Sequence, residues 1–205
     1  MKRAAFGICM HSGWGVLVAV NDAAEIIDRR RIIVTRREGF RGKQPFHHAK
    51  ELSLAKAETF LASYTAECDR LACDEIRAAI SDCEAQGHHI SAAAILLTSA
   101  RKLPGLAQIL ASHALIHAAE GQLFRDIAQS ACEFLGIPTT GYRKCELEQD
   151  ASAAVGTVGV NIAQRLASAG KSLGSPWTAD HKSAAKAAFL ALIAKPLAKT
   201  KASRC

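Results

Sequence analysis

The sequence predicts an α/β protein: a mixed sheet in which an antiparallel three-stranded meander is joined by two parallel strands, with helices flanking it. Three observations predict this. Short apolar, β-branched runs crowd residues 1–40, separated by brief turn signals. Beyond them, stretches of helical spacing alternate with two further short apolar runs. Connections too short for a crossover make the early strands antiparallel, whereas helical connections allow the later ones to be parallel.

The elements follow in order. Residues 4–10 form an apolar run closed by the turn signal His11-Ser12-Gly13. Residues 15–20 (GVLVAV) are β-branched and apolar, and Asn21-Asp22 marks a second turn. Residues 25–35 (EIIDRRRIIVT) return as a third strand, which leaves the first strand central. A linker with Gly39, Gly42 and Pro45 occupies 36–45. Residues 47–86 are helical: Leu52, Ala55, Thr59 and Ala62 keep a 3–4 spacing, as do Leu71, Ile76 and Ile80. Two helices, or one broken near residues 64–68, fit equally, and Gly87 stops the pattern. Residues 90–98 (ISAAAILLT) have strand length and polar flanks, as a buried strand parallel to the first would. After Pro104-Gly105, residues 106–135 are helical up to Gly136, and 137–142 form a short strand. A helix over 151–169, a loop over 171–176 and a last helix over 178–194 complete a single domain of residues 1–194. Residues 195–205 read as a basic, flexible tail.

Composition excludes several classes. The chain has 205 residues, 49% of them apolar, enough for one substantial core, and its 22% of charged residues is too few for a disordered polyelectrolyte. No run approaches 18 apolar residues, so no membrane partner is expected. The opening MKRAAFGICM flows straight into strand-like sequence without a signal-peptide core, which predicts a cytoplasmic protein. Seven cysteines, an odd number without Cys-x-x-Cys spacing, argue for reduced thiols rather than a disulfide framework or zinc ribbon.

The net charge of +7 is uneven. Arg29, Arg30, Arg31, Arg36, Arg37, Arg41 and Lys43, set against Asp28 and Glu38, give the third strand and its exit +5. The tail carries +4, which leaves the remaining chain at −2. Localised positive charge suits a phosphate backbone. Strand alternation puts Arg29 and Arg31 on one face and Arg30 on the other. The candidate nucleic-acid-binding residues are therefore Arg29, Arg31, Arg36, Arg37, Arg41 and Lys43; protection of an edge strand is the competing role for such charges. Asp69, Asp74, Glu75, Asp82 and Glu84 make the second helical stretch acidic, as a solvated face or as a surface that meets the basic meander across a homodimer.

Particular segments carry a family resemblance. Gly7-Ile8-Cys9-Met10-His11-Ser12-Gly13 stands where one family has Gly-Ile-Asp-Pro-Gly, and Trp14-Gly15-Val16-Leu17 is similar to its second strand. Ser112-His113-Ala114-Leu115, Gly121 and Gly136-Ile137-Pro138-Thr139 are similar to its long helix and the strand that follows. Ala179-Asp180-His181-Lys182-Ser183-Ala184 resembles its last helix, which reads Asp-x-x-Asp-Ala. The chain thus resembles the ribonuclease H-like superfamily, in its RuvC-like resolvase branch. The resemblance implies a ribonuclease H-like fold, DNA or RNA as partner, and a homodimer paired through helices. It also implies chemistry resting on four carboxylates that hold two magnesium ions. Only Asp180 matches those acids. Cys9 takes the first-strand position, no acid lies between Glu84 and Glu120, and Ser183 stands three residues after Asp180. Nuclease activity is therefore not expected, and a nucleic-acid-binding or assembly module is.

His113, His117 and Glu120 form H-x-x-x-H-x-x-E, which places all three on one helix face. Two imidazoles and a carboxylate suit a divalent metal, so a metal-dependent hydrolase is the alternative function and that ion the one cofactor to consider. Half-exposed, hydrogen-bonded histidines are the plainer account. His11 and Asp180 or His181 are expected to approach the same cleft. A third reading is a protein-interaction domain without nucleic acid. Cys9 with His11 two residues on reads as a buried structural thiol rather than a nucleophile, and His47-His48 and His88-His89 as capping or surface residues.

Overall fold

β1 (Lys2–His11) lies at the centre of the sheet because both its faces are apolar. Alternate side chains feed two cores: Ala4, Phe6 and Ile8 one, Ala5 and Cys9 the other. A computed structural model describes residues 1–37, 39–98, 102–147, 149, 165, 168–169 and 173–194. Within them the sheet order is β3-β2-β1-β4-β5, with β2 (Trp14–Asn21), β3 (Ile26–Ile33), β4 (His88–Leu97) and β5 (Thr139–Arg143). β1, β2 and β3 form the antiparallel meander, and β4 and β5 run parallel to β1. The expected mixed sheet and its central first strand are observed.

The helices differ from expectation in instructive ways. The segment read as linker contains α1 (Gly39–Lys43) and leads to α2 (Pro45–Ala49), which starts on proline. α3 (Leu54–Ala85) is a single unbroken helix, roughly 48 Å long at 1.5 Å per residue. No glycine or proline interrupts it, and Tyr64, Cys68, Ala72, Ile76, Ala79 and Cys83 form one buried stripe across the suspected break. Conversely, the helix expected over 106–135 is two: α4 (Leu106–Leu110) and α5 (His113–Phe134), separated by Ser112 in extended backbone at the N-cap of α5.

α3 and α5 cover one face of the sheet, and α6 (Ala179–Ile193) covers the other. α6 packs unusually close because its sheet-facing residues include Ala184, Ala185, Ala187 and Ala188. Gly7 completes that approach: a Cβ there would land on the Ala184 carbonyl oxygen and 3.0 Å from the Ala188 nitrogen. The acidic helix and the basic meander meet within one chain, with Arg30 Nη2 donating to Asp82 Oδ2 at 2.7 Å. The expected helix over 151–169 falls mostly outside the described residues, and the tail over 195–205 falls wholly outside them.

Candidate functional site

The turn after β1 builds the first candidate site. Ser12 and Gly13 form a two-residue hairpin loop, with Gly13 at φ +82°. A two-residue loop makes His11 and Trp14 cross-strand partners, and their rings stack at 4.3 Å with 15° between planes. Arg31, on the same face of β3, lies with its guanidinium carbon 4.1 Å from the Trp14 ring centroid. The row continues in the other direction, where His11 Nε2 is 2.9 Å from Asp180 Oδ2.

Asp180 sits in the first turn of α6, where a negative charge is favoured. Thr178 caps that helix: its backbone N–H donates to His181 Nδ1 at 3.3 Å, and its hydroxyl lies 2.8 Å from the same nitrogen. Asp180 then receives three donors from elsewhere. Besides His11, Cys9 Sγ donates to Oδ1 at 3.3 Å and Lys144 Nζ donates to Oδ1 at 2.7 Å. Lys144 reaches this point because it directly follows β5. Burial pulls the Asp180 carboxyl upward, but hydrogen bonds from Lys144, Cys9 and His11 outweigh it and hold the group at about 2. Burial pushes the Cys9 thiol to about 11, so it is not a thiolate nucleophile at neutral pH.

A cleft of ≈ 500 Å³ opens beside this row, lined by Trp14, Val16, Arg29, Arg31, Thr178 and Asp180 among others. The five arginines and one lysine expected on a nucleic-acid surface separate into groups. Arg29 is committed to the fold, donating to the carbonyls of Leu173, Gly174 and Pro176 ahead of α6. Arg37 is bound to Glu67, at 2.6 Å from Nη2. Arg31 lies exposed at the cleft, Arg36 and Lys43 are exposed beyond it, and the side chain of Arg41 lies outside what is described.

The second cluster lies on the other face of the sheet, at the start of α5. His113 and His117 stand one turn apart and are both exposed. The third member is His47 of α2, whose ring is 5.4 Å from that of His113 and 4.8 Å from that of His117. One nitrogen from each of the three rings lies within 4.8 Å of the others. Glu120 is 3% exposed and stands behind His47: Oε1 lies 2.9 Å from Nδ1 of His47 and accepts its backbone N–H at 3.3 Å. Glu120 Oε2 is 3.9 Å from His117 Nδ1. His47 is thus part of a cluster, not a mere cap. The expected convergence of His11 and Asp180 on His113, His117 and Glu120 does not occur; there are two clusters on opposite faces.

No family model matches the chain, and no curated protein matches it. Among solved structures, T. thermophilus RuvC in complex with Holliday junction substrate is similar, at 12% identity and a TM-score of 0.51, over 92% of this chain and 91% of that one. Thermus thermophilus RuvC also matches, at 10% identity and a TM-score of 0.47, over 91% of each chain. The first likeness shows the fold: a RuvC-like, ribonuclease H-like α/β sheet flanked by helices.

Proposed function

We propose that this protein binds nucleic acid through the cleft between the β2–β3 hairpin and the start of α6 and does not cleave it by a two-magnesium mechanism. The observation that carries the reading is the occupancy of the Asp180 carboxylate by Lys144. β1 and β4 contain no acid, so Asp180 faces a thiol, an imidazole and an ammonium. Magnesium needs hard oxygen ligands, and two ions need several carboxylates. This donor set does not fit them. The Arg31–Trp14–His11 row offers instead a cation held on an aromatic ring at the edge of the cleft, a group that phosphates take up. The similar RuvC structure holds a Holliday junction substrate, which makes branched DNA the first ligand to try.

Fluorescence anisotropy with branched, duplex and single-stranded DNA tests this across a salt series. Binding is expected at low salt and weakens as salt rises. Arg31→Ala is expected to lower the salt slope by about 1, as loss of one phosphate contact does. Trp14→Ala removes the ring that holds Arg31 in place and is expected to weaken binding less than Arg31→Ala does. Absence of binding at low salt overturns the binding claim, and magnesium-dependent cleavage by the wild-type chain overturns the other half.

A further inference from the structure

We infer that His47, His113 and His117 form a zinc-binding site, with Glu120 as the residue that orients His47. The site lies on the face opposite Asp180 and is independent of any nucleic-acid role. Three neutral imidazoles from two helices suit Zn²⁺, whereas magnesium and calcium require oxygen. Tetrahedral zinc with Zn–N bonds of about 2.0–2.1 Å needs ligand nitrogens about 3.3 Å apart. The three nitrogens already lie within 4.8 Å of one another, so small side-chain rotations close the set.

Glu120 supplies the feature that separates this cluster from a chance group of surface histidines. Metal-bound imidazoles characteristically pass their second N–H to a carboxylate, which fixes the tautomer and raises ligand basicity. Here Glu120 Oε1 meets His47 Nδ1 at 2.9 Å, so Nε2 is the nitrogen that would take the metal. Glu120 is also nearly inaccessible, and a buried carboxylate needs compensating positive charge. A divalent ion one imidazole away provides it. His113 and His117 remain exposed, so the fourth position faces solvent. Bound zinc would tie α2 to the first turns of α5 and leave that position open to water or a small anion.

The test uses the full chain without a histidine tag, stripped with chelator and titrated with zinc by calorimetry and by thermal melting. One zinc equivalent and a raised melting temperature are expected. His113→Ala and His117→Ala each abolish the shift; both side chains are exposed, so folding is retained and circular dichroism verifies it. Glu120→Gln weakens affinity 10–100-fold without changing stoichiometry, the usual effect of losing such a supporting carboxylate. Cys9→Ser leaves zinc binding unchanged, and the cobalt-loaded protein shows visible d–d bands without thiolate charge transfer. No zinc equivalent, or an equivalent that survives His113→Ala and is lost with Cys9→Ser, overturns the proposal.

Discussion

The two faces of the sheet carry two clusters that differ in their ligands, a thiol and one imidazole against three imidazoles, and in what neutralises the acid beside them. Each has a sheltered carboxylate against at least one imidazole: Asp180 with His11, and Glu120 with His47. At Asp180 the compensating cation is part of the chain, since Lys144 reaches the carboxylate at 2.7 Å. At Glu120 the described neighbours are imidazoles, which are neutral ligands when unprotonated. Like charges 4 Å apart repel by about 4 kcal/mol at an effective dielectric of 20, and a divalent ion doubles this before solvent screening. A tethered ammonium therefore closes a carboxylate to metal, while a ring of imidazoles leaves it open. What neutralises the acid, more than the presence of the acid, sets the chemistry of each face.

The largest expected effect breaks one face and spares the other. Gly7→Ala puts a methyl group into the backbone of α6, which cannot move without leaving the sheet. Overpacking of this kind costs about 3 kcal/mol, or roughly 6–12 °C in melting temperature for a chain of this size. The zinc-induced shift should persist in this variant, because α2 and α5 pack on the opposite side. A wild-type melting curve for Gly7→Ala would mean that α6 does not lie this close.

A smaller effect is expected on the other face. Tyr64 donates its hydroxyl to the Gly42 carbonyl at 2.6 Å, fastening the segment that carries α2 to the middle of α3. Tyr64→Phe leaves that buried carbonyl without its donor and should cost about 1–2 kcal/mol in urea unfolding. It should also weaken zinc binding, because His47 loses its anchor, and leave DNA binding as it was. Equal zinc affinity in the variant and the wild type would show that α2 is held independently.

The difference between the faces was only partly legible in the sequence. The meander could be read because Ser12-Gly13 and Asn21-Asp22 stand between β-branched runs, and strand alternation already separated Arg29 and Arg31 from Arg30. Local rules sufficed there, since each turn closes contacts a few residues apart. His113, His117 and Glu120 were visible because i, i+4 and i+7 share a helix face. Their partner His47 lies 73 residues from Glu120, in a helix of one turn with no pattern of its own. Lys144 lies 36 residues from Asp180 and follows a five-residue strand, so nothing local marks it. The break before α5 did have a signal, Ser112 at an N-cap, but the apolar spacing on either side obscured it. Across β3 the basic count overstated the free charge, because hydrogen bonds to distant partners had already committed Arg29, Arg30 and Arg37.

The smallest expected effect sharpens the comparison most, because it removes the residue that neutralises the acid on one face. Lys144→Met deletes the ammonium and keeps most of the side-chain volume. Burial then acts on Asp180 with one fewer hydrogen bond to oppose it, so its pKa climbs from about 2 toward the ordinary 3.8. A carboxyl held below its unfolded value stabilises the fold fully above about pH 4, and that contribution is lost as pH falls toward 2. Wild type should therefore exceed the variant by up to about 1 kcal/mol at pH 7, a modest figure because Lys144 is 41% exposed. The gap should close between pH 4 and pH 2, as measured by urea unfolding at both ends. Titrations shared by the two proteins cancel in this difference, so the pH at which the curves meet reports Asp180 itself. If the lysine is also what keeps metal out, the variant should take up a second zinc equivalent at Cys9, His11 and Asp180, while the wild type stays at one. A variant with the altered acid profile and still a single equivalent would separate the two roles, leaving Lys144 as an electrostatic tie and making the buried thiol, costly to ionise at about 11, the barrier to metal.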